Sequence, residues 1–218
     1  NLGQAYNFSW QNTNQSFLFN GNHLVDNSNF DKYLKLHGYK FKNESNECGG
    51  YIILKNKNIL LTADIGLAPE KKFSNNYQSG TLSFETYFKG KKLISNSGYF
   101  QNYKHQLNSI SRSTASHSTL TIDNRSSTKL KKNTDGSLII DKAAKIIKKN
   151  IVSEKDYFNI VASHDGYLKE YGIIHERQIE FFTKFTSILS RSKSSMIFHF
   201  SLLLNFTRSY LAPSFHVS

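Results

Sequence analysis

The run GTLSFETYFKGKKLISNSGYFQNYKHQLNSISRSTASHSTLTID, residues 80–123, holds two strand-like segments, Thr81–Phe88 and Lys91–Ser95, split by Lys89-Gly90. In the first, Leu82, Phe84, Thr86 and Phe88 alternate with Ser83, Glu85 and Tyr87. That is the period-2 pattern of a half-buried strand. A two-residue link with Gly second favours a tight hairpin. Asn96-Ser97-Gly98 follows, then a polar loop with Tyr99, Tyr103 and His105, then a third run, His117–Asp123, that reads as a return to the sheet. Polar loops on rigid strands are where sites are commonly built.

Upstream, Asn29–His37 (NFDKYLKLH) has Phe30, Tyr33, Leu34 and His37 at helical spacing, with Gly38 as a stop, and predicts one short helix. Tyr51–Leu54 and Ile59–Ile65 flank the turn residues Asn56, Lys57 and Asn58 and predict a hairpin. Downstream, the polar, basic segment Asn124–Asp135 reads as a connection or irregular edge. Ser137–Ile140, Ala144–Ile147, Tyr157–Ser163 and Ile173–Phe182 read as further strands, with a helical turn over Ala143–Lys149 as the alternative, and His164–Tyr167 reads as a turn. Strand-sized runs at short spacing with little helix predict a mainly β fold, an antiparallel β-sandwich.

The chain has 218 residues and a formal net charge of +12, which favours a polyanionic partner or a solvated lysine-rich surface. Nucleic acid binding would rest on charge alone, because the aromatics follow strand periodicity rather than a stacking platform. The single cysteine, Cys48, allows no internal disulfide and reads as a packed residue. No phosphate loop and no paired-cysteine motif is present. Residues 183–218 carry no acid, and their apolar run Met196–Phe206 is too short to span a bilayer. No signal peptide is visible, and the start without Met reads as a piece of a longer protein.

The motifs GTLSFE (80–85), NSG (96–98), RSTASHSTLTID (112–123), ASHDGY (162–167) and IIHERQI (173–179) stand in a recognisable order. With SFLFNGN (16–22) they resemble the C-terminal β-domain of the heparinase II/III-like polysaccharide lyases. The resemblance covers about residues 16–180. It implies that residues 1–15 are a linker or the remnant of a helical toroid, that 16–182 are the β-sandwich, and that 183–218 are a divergent tail; the loss of Asp and Glu after Glu180 leaves two readings of that tail, a shifted reading frame or a misfolded end. It also implies a periplasmic or cell-envelope protein whose partner is an acidic polysaccharide.

The chemistry the resemblance implies is β-elimination. A base removes the C5 proton of a uronic acid and an acid protonates the departing O4, while fixed donors stabilise the enolate-like charge. Tyr103 and His117 are the catalytic candidates; Tyr99 competes for the tyrosine role. Gln78, Asn96, Arg112 and His105 are candidates for substrate binding, Arg112 because a guanidinium suits a planar carboxylate. A structural tyrosine, a loop-fixing arginine and a solvated His105 are the plainer readings of the same residues. His175 and Arg177 read as a structural network, and Asp165 as a turn residue.

Family members with the full pattern hold a zinc ion on two histidines and an aspartate. The resemblance places Gln78, Asn96 and His117 at those three positions, with Asn76 and Gly80 at the flanking histidine and aspartate. Amide oxygens are weak zinc ligands beside imidazole or carboxylate, so no tightly bound zinc is expected. Two functions follow: the β-domain of a lyase, inactive as this piece alone, or a non-catalytic carbohydrate-binding or envelope module.

Overall fold

The computed structural model describes residues 17–21, 28–38, 46–183 and 208–211. The described part is mainly β and consists of three antiparallel sheets. The first joins β1 (Glu47–Cys48), β2 (Tyr51–Lys55), β3 (Ile59–Asp64), β4 (Phe84–Phe88) and β5 (Lys91–Ile94) in sequence order. A two-stranded ribbon pairs β6 (Lys129–Lys132) with β7 (Leu138–Lys142). The last sheet has the order β11-β10-β9-β8, from β8 (Ile146–Ser153), β9 (Tyr157–His164), β10 (Ile173–Phe182) and β11 (Arg208–Leu211).

Alternation along the strands explains how the two larger sheets meet. Ile52, Leu54, Ile59, Leu61, Ala63 and Phe84 of the first share one apolar cluster with Ile160, Ala162, Ile179 and Phe181 of the last. The intervening residues Ile53, Leu60 and Tyr87 face the other way, where Phe17 and Phe19 cover them. Phe17 meets Tyr87 edge-on at 5.5 Å between ring centroids. With both faces covered, β3 is buried along its whole length. Each such aliphatic or aromatic side chain contributes roughly 1.5–3 kcal/mol relative to exposure.

The turns follow their residues. Asn56 Oδ1 accepts from the amides of Asn58 and Ile59, closing the β2–β3 hairpin. Lys89 and Gly90 both have positive φ (48° and 78°), as a two-residue hairpin between right-twisted strands requires.

The helix read near the N-terminus is present as α1 (Ser28–Leu36). Two more helices stand among the described residues. α2 (Gln106–Arg112) lies within the segment read as a polar loop, and α3 (Leu168–Tyr171) ends at left-handed Gly172.

Four local readings are corrected. β4 begins at Phe84, not Thr81, because Leu82 takes φ +62° in a turn closed by Ser83 N–H on Gly80 O. It is buried on both faces rather than half-buried: Glu85 and Tyr87 are covered. The run 117–123 forms no strand; only Ile122 and Arg125 bridge, around a turn at Asp123-Asn124. The connection after Asp123 contains β6. Of the tail, 184–207 and 212–218 lie outside the described residues, and so does the apolar run Met196–Phe206. Arg208–Leu211 pairs with the start of β10. Among the described residues no helix is long and apolar enough to cross a membrane.

Candidate functional site

The first sheet is left open at one edge, because β5 pairs only with Thr86–Phe88. Phe84 therefore keeps an edge amide and carbonyl, and Ser118 fills the gap: Phe84 N–H donates to Ser118 Oγ at 2.8 Å, and Ser118 Oγ bonds Phe84 O. Thr119 Oγ1 donates to Thr81 O at 3.0 Å. These bonds seat His117 at the sheet edge.

Glu85 holds the neighbouring wall. Its carboxylate accepts from the Asn96 amide at 2.8 Å, the Leu18 amide at 3.2 Å and Ser95 Oγ at 3.2 Å. Burial raises its pKa, against a smaller opposite effect of Lys92, whose ammonium is 3.8 Å away. Asn96 then reaches across, its Oδ1 accepting from Ser118 N–H at 3.0 Å.

His117 is 8% exposed, and neither ring nitrogen makes a hydrogen bond of good geometry. Burial lowers its pKa to about 4, with a weaker opposing pull from the Ser111 backbone, so the imidazole is neutral at pH 7. It packs on Gly80: a Cβ there would lie 3.1 Å from its Cγ and 3.1 Å from Ser83 Oγ. Ser83 Oγ and Asn96 Nδ2 are also buried without partners. Unsatisfied polar groups of this density mark a recess that can engage a polar ligand or water.

Gln78 is buried and fully engaged. Its Nε2 donates to Gly98 O at 2.9 Å and Ser111 O at 2.7 Å, and its Oε1 accepts from Gly21 N–H at 3.1 Å. Asn20 and Gly21 both have positive φ (36° and 89°), and this turn also ties Gln78 to the sheet. Asn20 Oδ1 accepts from Gln78 N–H, and Asn20 Nδ2 donates to Tyr51 Oη at 2.6 Å and Asp64 Oδ2 at 3.4 Å.

Arg112 is fully buried, and each of its guanidinium nitrogens donates to a carbonyl: Nε to Tyr77, Nη1 to Leu138 and Nη2 to Ser74. As placed it has no edge to offer a carboxylate; it fastens α2 to the 74–78 segment and the ribbon. His105 caps α2, its Nδ1 accepting from Leu107 N–H at 3.1 Å, with its ring beside Phe100.

The rim carries the tyrosines. Tyr99 Oη donates to Asn76 Oδ1 at 3.1 Å. Tyr103 is 44% exposed on the outer part of the same loop, with Lys104 Nζ 6.0 Å from its ring centroid. Asn96 thus bonds the residue next to His117, and Gln78 is linked to the same segments through Gly98 and Ser111, while Tyr103 lies exposed beside Lys104, His105 caps α2 and Arg112 is buried against the 74–78 segment.

Two supports complete the arrangement: Arg177, already read from sequence as part of a structural network, and the Asn20-Gly21 turn, whose link to Gln78 sequence reasoning missed. Arg177 Nη1 donates to Ser118 O at 3.0 Å, beside His117, with the guanidinium 4.9 Å from the Phe84 ring. Asn20-Gly21 was readable as a turn, but its bond to Gln78 spans 57 residues and leaves no local signal.

A family described as "Heparinase II/III-like, C-terminal" matches residues 44–189. Among solved structures, a heparinase III gene product is similar at TM-score 0.56 and 16% identity, covering 78% of this chain and 28% of that one. The heparan sulfate lyase of Pedobacter heparinus is similar at TM-score 0.54 and 16% identity, with the same coverage. Identity this low shows the fold alone. The chain spans 28% of the length of these proteins. No curated protein sequence matches it.

Proposed function

The chain belongs to the heparinase II/III-like C-terminal family, a family of polysaccharide lyases, and from that premise we propose that it is the β-domain of a lyase acting on an acidic, uronate-containing polysaccharide. The observation that carries this reading is His117: a neutral, buried imidazole with uncommitted nitrogens, in a recess lined by unpartnered polar atoms.

The chemistry asks for such a group. A base takes the proton from C5, the C4–O4 bond breaks as the C4=C5 double bond forms, and an acid protonates O4. A neutral imidazole can serve as the base or hold the substrate by hydrogen bonds. Tyr103, or Tyr99 nearer the rim, is the proposed second group. The enolate-like charge needs donors, which Asn96 Nδ2 and Ser83 Oγ offer. Arg112 stays in a supporting role, so the substrate carboxylate is met by other groups. The cleft in this reading is completed by a helical domain preceding the β-domain, and the protein works in the periplasm or cell envelope. The basic balance of the chain agrees with a polyanionic substrate.

The test uses the longer protein that carries this domain, incubated with heparan sulfate, hyaluronan and alginate while the absorbance of unsaturated uronate is followed. Product with the longer protein, none with this chain alone and none with its His117→Ala variant are expected. Binding without any product by the longer protein would replace the lyase by the non-catalytic module. That second reading draws support from the amides at positions 78 and 96. Product from this chain alone would overturn the proposed need for a second domain.

A further inference from the structure

We propose that Gln78 does by hydrogen bonding what a bridging metal ion would do by coordination: it is an amide hub that holds the recess around His117 together without an ion. The inference rests on the family reading, which puts residues 78, 96 and 117 at the ligand positions of a zinc site.

The residues present do not fit that ion. A ligand oxygen must face the metal, yet Gln78 Oε1 faces the Gly21 amide and Asn96 Oδ1 faces the Ser118 amide. Neutral amide oxygens are in any case weak partners for zinc. Of the three residues, only His117 keeps a ligating atom outside a hydrogen bond of good geometry, and one imidazole does not retain zinc.

The bonds these amides make are the alternative. Gln78 is 1% exposed and sits at the meeting of four segments. Its backbone N–H and side-chain oxygen engage the Asn20-Gly21 turn, and its two N–H donors engage Gly98 in the 96–98 turn and Ser111 near the end of α2. Asn96 extends the hub to Ser118, next to His117, and Ser97 N–H donates to Ser116 O at 3.0 Å. The strand edge, the 96–98 turn and the histidine segment are thereby cross-linked, as a metal on residues 78, 96 and 117 would link them. Gln78 is in this sense a positioning residue for the recess.

The experiment compares the chain with two variants. For the unaltered chain, neither a chelator nor added zinc shifts the Tm, and elemental analysis finds no stoichiometric zinc. Stoichiometric zinc, or a Tm lowered by the chelator, would overturn the proposal. The Gln78→Met variant keeps the length of the side chain and loses its hydrogen bonds. A Tm lower by roughly 5 °C is expected, with faster hydrogen exchange at the Gly21 amide; unchanged exchange there would also overturn it. The double variant Gln78→His with Asn96→Asp restores at positions 78 and 96 the imidazole and carboxylate that the family reading groups with His117. One zinc per chain by calorimetry and a zinc-dependent Tm are expected. If the double variant folds by circular dichroism and takes no zinc, the placement of positions 78, 96 and 117 on the family's ligands is wrong, even where the Gly21 result stands.

Discussion

His164 Nε2 lies 2.9 Å from His175 Nδ1, and both imidazoles are fully buried between paired strands β9 and β10. The Gly166 amide donates to His164 Nδ1 at 3.0 Å, which leaves the proton of a neutral ring on Nε2. His164 therefore donates to His175, and the remaining His175 proton, on Nε2, has no partner. A proton added to either ring would break this order. Burial, then for His175 the neighbouring His164, lowers the pKa values to about 4 and about 2. Arg177 adds a smaller push in the same direction, and Asp165 opposes it for His164.

Acid sensitivity is the first consequence. Both histidines are neutral when folded and take protons near pH 6.5 when unfolded, so the unfolded state binds more protons below that pH. Their contribution to stability is complete above about pH 6.5 and is lost as pH falls, by at most about 1.4 kcal/mol per pH unit for each ring. A His175→Gln variant, less stable at pH 7.5, is expected to lose less further stability between pH 7.5 and 5 than the unaltered chain. Urea midpoints at the two pH values check this; parallel losses would mean that the pair does not titrate as described.

Asp64 works in the opposite sense. It is buried at the end of β3, bonded to the Gly66 amide and near Asn20 Nδ2, and no ion pair reaches it among the described residues. Burial raises its pKa to about 7, so the folded state holds a proton that the unfolded state has released above about pH 4. Its contribution therefore falls as pH rises from about 4 to 7. An Asp64→Asn variant is expected to be more stable than the unaltered chain at pH 8, and to lose that advantage at pH 5. Thermal melts at the two pH values read the difference, and an Asn variant less stable at pH 8 would refute the raised pKa.

Arg112 tests the division between support and binding. Its three bonds to carbonyls are charge-assisted and buried, and a lysine cannot reach all three directions at once. Arg112→Lys is expected to cost roughly 3 kcal/mol or more in unfolding free energy. Any molecules still folded at low temperature are expected to keep their affinity for uronate oligosaccharides. A stable Arg112→Lys chain with weakened binding would return this residue to the substrate side.

Arg112 also shows where reading residues from sequence stops. The sheets were readable because period-2 alternation and the Lys89-Gly90 and Asn56–Asn58 turns are local. The run 117–123 imitates that pattern with Ser, Thr and Ile, but Ser118 and Thr119 spend their hydroxyls on backbone groups of Phe84 and Thr81, which fixes an irregular path. α2 was hidden by Asn and Ser, residues of weak helix propensity, and by a histidine cap. Residue type marked Arg112, Gln78 and Asn96 as polar candidates. Their burial, which decides what each can touch, depends on partners twenty or more residues away.

Gly80 gives the most local test of the recess. A methyl group there would come within 3.1 Å of His117 Cγ and 3.3 Å of its Nδ1, closer than side chains ordinarily pack. The imidazole must then shift by a few tenths of an ångström, and with Ser83 Oγ also 3.1 Å from the methyl it has little room on that side. Gly80→Ala is therefore expected to cost about 1–3 kcal/mol and to move the NMR signals of the His117 ring, leaving those of the distant His37 in place. An unperturbed His117 spectrum in a fully stable Gly80→Ala chain would mean that the ring does not rest on Gly80, and the recess would need redrawing from the Asn96 side.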